Sequence, residues 1–168
     1  VTTPGTGMLL NNCMRLMDPT PGRTNAIAPG KRILSSMSPT LVLKDGRPWL
    51  AIGTPGGNKI FAAVMQGIIN LIDYGMTVQE AVEAPRVWTM GPVLEVEDTF
   101  DNLSEVVSGL ERRGHTVQVV PKIAGGMSAI LVDPESGLLH GGSCWRADGS
   151  PVGLSGGGAR LVEETPWR

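Results

Sequence analysis

The sequence predicts an α+β fold in which helices cover an antiparallel sheet, and three observations carry that prediction. Residues 40–53, TLVLKDGRPWLAIG, are two apolar runs around Asp45-Gly46. Asp-Gly is the strongest short hairpin signal, because both positions of a type I′ turn need a positive φ. Residues 58–75, NKIFAAVMQGIINLIDYG, repeat Ile60, Val64, Ile68 and Ile72 every four residues beside Phe61, Met65 and Ile69. Most of that helix circumference is apolar, so the helix is expected to be buried. Downstream, a second helix, a strand, a third helix and more strands follow, the order of an α+β domain rather than of a regular βαβ array.

In chain order, residues 1–39 are rich in Gly, Pro, Asn and Thr around a short apolar run at Met8–Leu10. They read as a strand end and then a long ordered loop, 11–39, of the kind that often carries function. The hairpin gives strands near 40–44 and 48–53. The apolar helix stops at Gly75, a residue that accepts the left-handed cap conformation. Thr77 opens TVQEAVEAP, whose Thr-x-x-Glu spacing is a capping box for a short helix ended by Pro85. A strand is expected near Val93–Val96, a helix from about Asn102 to Arg113 closed by Gly114, and strands near 116–120, 127–132 and 138–142. The Gly-rich tail after Gly153 is expected to be loose.

With 168 residues the chain fits one domain, and at this length a real core can be buried. Fourteen basic against sixteen acidic residues give a net charge of -2, too weak a field to grip nucleic acid or an acidic membrane. The longest apolar run is broken by Asn70 and Asp73, so neither a signal peptide nor a membrane span is expected, and the compartment stays open. Cys13 and Cys144 match no metal spacing; buried apolar thiols, a single disulfide and a catalytic thiol remain alternatives. His115 and His140 stand in no pattern with Ser or Cys. No cofactor or metal is expected.

The candidate chemistry lies at Gly53–Phe61, GTPGGNKIF. Gly56 and Gly57 sit where a strand gives way to a helix, so their N–H groups lie among the unpaired donors of a helix N-terminus. Two such donors suit an anion or the oxyanion of a tetrahedral intermediate, and the missing side chains let a carbonyl approach; a plain turn into a helix is the alternative. Neither a P-loop nor a G-x-G-x-x-G pattern aligns here. Upstream, PGKRILSSMSPT carries Ser35 and Ser36, uncharged donors for a carboxylate or amide, or else partners for the local backbone.

The stretches PGTGMLLNN at 4–12, APGKRILSSMSPTLVLKDGRPWL at 28–50, GTPGGNKI at 53–60, INLIDYGMTVQEAVEAPR at 69–86 and SAILVDPESGLLHGGSCWRADG at 128–149 appear in one order. Together they resemble the C-terminal part of the small subunit of gamma-glutamyltransferases and their cephalosporin-acylase relatives. The resemblance spans almost the whole chain. It implies an N-terminal-nucleophile hydrolase: an αββα sandwich whose proenzyme cleaves itself, exposing a Thr that attacks a gamma-glutamyl or related side-chain amide. It assigns Ser35 and Ser36 to the substrate carboxylate and Gly56 and Gly57 to the oxyanion hole.

Two departures from the family pattern shape the expectations. The family's nucleophilic Thr heads its small subunit in a Thr-Thr-His context upstream of PGTG, whereas Thr2 and Thr3 fall where ordinary strand residues stand. The chain by itself is therefore expected not to turn over substrate. Where transferases read N-N-[EQ]-M-D-D, this sequence has NNCMRLMD. The acidic residue that holds a glutamyl amine is replaced, which leaves Asp18 as a substitute or else an acyl amide lacking that amine as the substrate; Arg15 either favours a second carboxylate or faces water. The partners implied are a small-molecule amide, the large subunit and the N-terminal part of the small subunit. A non-catalytic module for small carboxylates and an inactive structural piece are the competing readings.

Overall fold

A computed structural model of the chain describes residues 2–153, so the expected loose tail lies outside the described residues. The chain divides into two compact units, Val1–Ser36 and Met37–Arg168.

The first unit is nearly free of regular structure. Thr2 and Leu9 form an isolated antiparallel bridge, Cys13–Leu16 a single 3-10 turn, and Asp18 and Ala26 a parallel bridge. Asn25 Nδ2 donates to the Leu16 carbonyl at 2.6 Å, Asp18 N to the Asn25 carbonyl at 2.9 Å, and Met17 and Ala26 are buried. Side-chain to backbone bonds of this kind order the loop where no ladder does.

The second unit holds a four-stranded antiparallel sheet in the order β1 (Thr40–Lys44), β2 (Arg47–Gly53), β6 (Ser128–Val132), β7 (Leu139–Ser143). Asp45 and Gly46 take φ of 51° and 75°, the positive pair that the hairpin signal requires. Period-2 alternation sends Val42, Leu50, Ile52, Ala129 and Leu131 to one face, against helices α1 (Ile60–Ile72) and α2 (Val78–Glu83). Ala63, Val64 and Leu71 of α1 and Ala81 and Val82 of α2 complete that core. Each fully buried aliphatic side chain there contributes about 1.5–3 kcal/mol. The opposite face presents Leu41, Leu43, Ile130 and Leu139, all exposed.

Gly75, at φ 64°, ends α1 as expected, with Met76 N donating to the Asn70 carbonyl at 3.0 Å. The expectation of a wholly buried helix is corrected: Phe61, Met65 and Ile72 are exposed. The apolar circumference is wider than the surface the sheet offers, so the sheet covers one side only. Edge strand β7 is capped by Gln79, whose amide donates to the Ser143 carbonyl at 2.9 Å and accepts from Ser143 N at 3.2 Å.

A second, smaller sheet joins β3 (Val87–Thr89), β4 (Val93–Glu97) and β5 (Thr116–Val120). β3 went unread because three residues after a proline leave no alternation to see. β4 and β5 are parallel, linked by α3 (Leu103–Glu111), so this part is a local βαβ unit beside the antiparallel sheet. Gln66 of α1 bonds both backbone groups of Val87, at 2.9 Å each, tying the helix to this second sheet.

The capping box is realised: Thr77 Oγ1 accepts from Glu80 N, and the Glu80 carboxylate accepts from Thr77 N at 2.8 Å and from its hydroxyl at 2.7 Å. The Thr77 hydroxyl foremost, and then its backbone amide, hold the Glu80 pKa below its ordinary value. A depressed folded pKa stabilises above the unfolded value, about 4.3, and that stabilisation is lost as pH falls through the folded one. Glu80→Ala is therefore expected to melt below the parent chain at neutral pH, with the gap closing on acidification; thermal melts across that range check it, and a pH-independent gap refutes the assignment.

Candidate functional site

The site is built where β2 ends. Gly56 has φ 151° and ψ 13°, and Gly57 has φ 60°, so the chain turns through two conformations that side chains resist before the Gly57–Lys59 3-10 turn enters α1. Among the described residues, neither the Gly56 nor the Gly57 N–H donates to another protein group. Both glycines are exposed. Two adjacent donors thus stand unpaired at a helix start, where the backbone dipoles favour negative charge.

One side of this corner is closed by residues 123–127. Gly125 N donates to the Pro55 carbonyl at 2.7 Å, and Thr54 Oγ1 donates to the Gly125 carbonyl at 3.0 Å. A Cβ on Gly56 would lie 2.6 Å from the Ala124 Cβ, and one on Gly125 would lie 2.7 Å from Pro55 Cγ. The two backbones therefore meet at glycine contact distance on both sides. At the helix start, Lys59 pairs with Glu95 of β4 and lies 4.6 Å over the Trp88 ring.

The 123–127 segment is gripped from behind by buried charges. Glu97, with no exposed side-chain surface, accepts from Ile123 N at 2.5 Å, Arg86 N at 2.8 Å, Arg146 Nε at 2.7 Å and Arg146 Nη2. Arg86 Nη1 donates to the carbonyls of Ile123 and Gly125 at 3.1 and 3.2 Å. Burial foremost, and then the charge of Arg146, lower the Arg86 pKa. Burial also weighs on Arg146, but its hydrogen bond and charge pairing with Glu97 outweigh that and raise it. Cys13 and Cys144 are free thiols, Cys144 fully buried within this cluster.

Arg86, Glu97, Arg146 and the 123–127 segment escaped the sequence reading. Charged residues in strands and loops are ordinarily solvated, and local pattern does not say which three converge. The second glycine pair, Gly125-Gly126, was the available signal for a close backbone approach.

The remaining candidates lie in the first unit. Ser36 is half-buried and Ser35 exposed, in the irregular stretch that precedes β1. Arg15 is exposed in the 3-10 turn. The Asp18 carboxylate accepts from Thr20 N at 2.8 Å and pairs with Arg23 at 3.4 Å. His115 and His140 are exposed. Among the described residues no cluster of His, Cys, Asp and Glu could hold a metal ion, and no helix is long and apolar enough to cross a membrane.

Comparison with known proteins gives concordant results. The chain is 54% identical over 160 residues to the acylase ACY 1 proenzyme of Pseudomonas sp. (strain V22), covering 95% of this chain and 28% of that protein. It is 36% identical to the glutathione hydrolase proenzyme of Bacillus subtilis (strain 168), covering 92% and 26% respectively. The chain thus spans little more than a quarter of the length of these relatives. Among solved structures, it resembles the gamma-glutamyltranspeptidase from Pseudomonas nitroreducens complexed with L-DON, with a TM-score of 0.80 and 32% identity over 92% of this chain and 86% of that one. It also resembles the cephalosporin acylase from Bacillus halodurans, with a TM-score of 0.78 and 36% identity over 88% and 28%. Residues 1–154 match the gamma-glutamyltranspeptidase family model, and with the glycine corner and the α+β fold on the same residues, the chain belongs to the gamma-glutamyltranspeptidase family.

Proposed function

We propose that the chain is the C-terminal portion of the small subunit of an acylase-like N-terminal-nucleophile amidohydrolase, contributing its oxyanion hole and substrate-carboxylate subsite. The observation that carries this reading is the two unpaired N–H groups at Gly56 and Gly57, with Gly56 packed closely against Ala124 and Gly125. The nucleophile is a Thr outside this chain, whose free α-amine serves as base for its own hydroxyl. Its attack turns the amide carbonyl oxygen into an oxyanion, which the two N–H groups receive. The protonated α-amine returns its proton to the departing nitrogen as the C–N bond breaks, and water then hydrolyses the acyl-enzyme. Preorganised donors of this kind are worth about 100- to 1,000-fold in kcat each.

Ser35 and Ser36 donate to the distal carboxylate of the acyl group. An acyl donor lacking the α-amine is preferred to a gamma-glutamyl one. Two facts support that: the Asp18 carboxylate is already engaged by Thr20 and Arg23, and identity to the acylase proenzyme exceeds that to the glutathione hydrolase. The exposed face of Leu41, Leu43, Ile130 and Leu139 receives the rest of the enzyme, namely the large subunit and the N-terminal part of the small subunit.

In the full-length enzyme, hydrolysis of glutaryl amides is expected to exceed that of glutathione, and the reverse preference refutes the acylase reading. Gly56→Ala, whose Cβ meets Ala124, is expected to lower kcat about 100-fold; Gly57→Ala, with open space around it but a strained φ, falls less. Unchanged kcat in Gly56→Ala refutes the oxyanion assignment. Ser35→Ala with Ser36→Ala is expected to raise KM for the carboxylate-bearing amide and not for one without a distal carboxylate; equal effects on both refute the subsite. Finally, Leu41→Glu with Ile130→Glu is expected to leave the isolated chain folded by circular dichroism and to abolish co-purification with the large subunit; undiminished co-purification refutes the docking face.

A further inference from the structure

Charge inside the arginine cluster does not balance on carboxylates alone. Both oxygens of Glu97 are taken by Arg146, Arg86 N and Ile123 N. The Arg86 guanidinium, in a residue only 2% exposed, forms no ion pair with a carboxylate among the described residues. It donates to the carbonyls of Ile123, Gly125 and Val82, at 3.0–3.2 Å, and to Cys144 Sγ at 3.8 Å. A buried cation is strongly disfavoured without an anion; the charge of Glu97 is shared with Arg146, and among the described residues the ionisable group that the Arg86 guanidinium itself touches is the thiol.

The sulfur is placed as an acceptor. Met127 N donates to it at 3.1 Å and Arg86 Nη2 at 3.8 Å, so two donors converge on a fully buried atom. Among the described residues a thiol proton has one acceptor to point at, the Gly125 carbonyl at 4.0 Å, the outer limit for sulfur. Nearby arginines favour thiolate.

We propose that Cys144 is held as a thiolate, the counter-ion of Arg86, and that it is a positioning residue for the glycine corner. The path is contiguous: sulfur to Arg86, Arg86 to the Ile123 and Gly125 carbonyls, Gly125 N to the Pro55 carbonyl, and Ala124 against Gly56. With a neutral group at 144, Arg86 loses its anion and its hold on residues 123–125 loosens. The charged groups facing the sulfur are Arg86 and Arg146, with Glu97 beyond them. Burial pushes the thiol pKa up, but the Met127 amide, the hydrogen bonds of Arg146 and the charge of Arg86 outweigh it and hold the pKa below its ordinary value. The positioning half rests on the reading of Gly56 and Gly57 as an oxyanion hole; the ionisation half does not.

Raman spectroscopy of the 168-residue chain carrying Cys13→Ser tests the ionisation on an intact Cys144. No S–H stretch is expected at neutral pH, with the band appearing on acidification; a neutral-pH S–H band overturns the proposal. The positioning half is read in the full-length enzyme. Cys144→Ser is expected to lower kcat about tenfold or more with KM within about twofold, while Cys144→Asp, which restores the negative charge, stays within about threefold of the parent. A Ser variant with parental kcat, or an Asp variant no better than Ser, overturns positioning. Should Cys144→Ser fail to fold while Cys144→Asp folds, the same charge requirement is read from stability. Amide exchange at Ile123 and Gly125 in the chain, whose N–H groups are bonded to Glu97 and to the Pro55 carbonyl, is expected to be faster in Ser than in Asp and gives a reading independent of turnover; equal exchange in the two overturns positioning. A full-length enzyme inert toward both amide classes would defeat the proposed function, and the Raman result would still decide the thiolate.

Discussion

The buried Glu97 carboxylate is the constraint on which the rest of the second unit depends. It accepts donors from three separate parts of the chain: the loop before β3, the segment before β6, and the turn after β7. These are places where backbone runs irregularly and no ladder fixes it. A charge taken out of water is tolerated only when every lone pair finds a donor, so one fold satisfies it and near alternatives do not. Replacing one partner leaves a buried charge uncompensated, a loss of about 3–5 kcal/mol.

From that centre, order passes outward to the glycine corner. Glu97 and Arg86 grip residues 123–125 by N–H and carbonyl alike, and that segment in turn seats Pro55 and Gly56. One glycine on each side makes the approach possible, since a Cβ on Gly56 would overlap Ala124 and one on Gly125 would overlap Pro55. On the far side, Lys59 is drawn to Glu95 and Trp88, and Gln66 is bonded to Val87, so the start of α1 is fixed to the second sheet. These contacts hold the two backbone donors of the glycine corner in place from both sides.

The antiparallel sheet packs its helices on one face and presents aliphatic side chains on the other, and α1 likewise keeps an exposed apolar stripe through Phe61, Met65 and Ile72. Rows of exposed aliphatics at regular strand and helix spacing are surfaces shaped for packing. They fit a family in which relatives are several times longer than this chain.

Local pattern determined a good deal. Asp45-Gly46 fixed the hairpin, Thr77 and Glu80 the start of α2, Gly75 and Gly114 the helix ends, and the Gly56-Gly57 corner was legible as a set of free donors. Each of these depends on the φ or hydrogen-bonding capacity of residues close in sequence. Tertiary structure alone decided which charges go inside. Arg86, Glu97 and Arg146 are each unremarkable in their own segments, and only folding brings positions 86, 97, 123 and 146 to one point. It also decided that Cys144, buried in the apolar core, has its sulfur beside the Met127 amide and Arg86, and that β4 and β5 pair in parallel across α3. Ion pairing and sheet order are long-range choices, set by what a segment meets in space, and no periodicity along the chain records them.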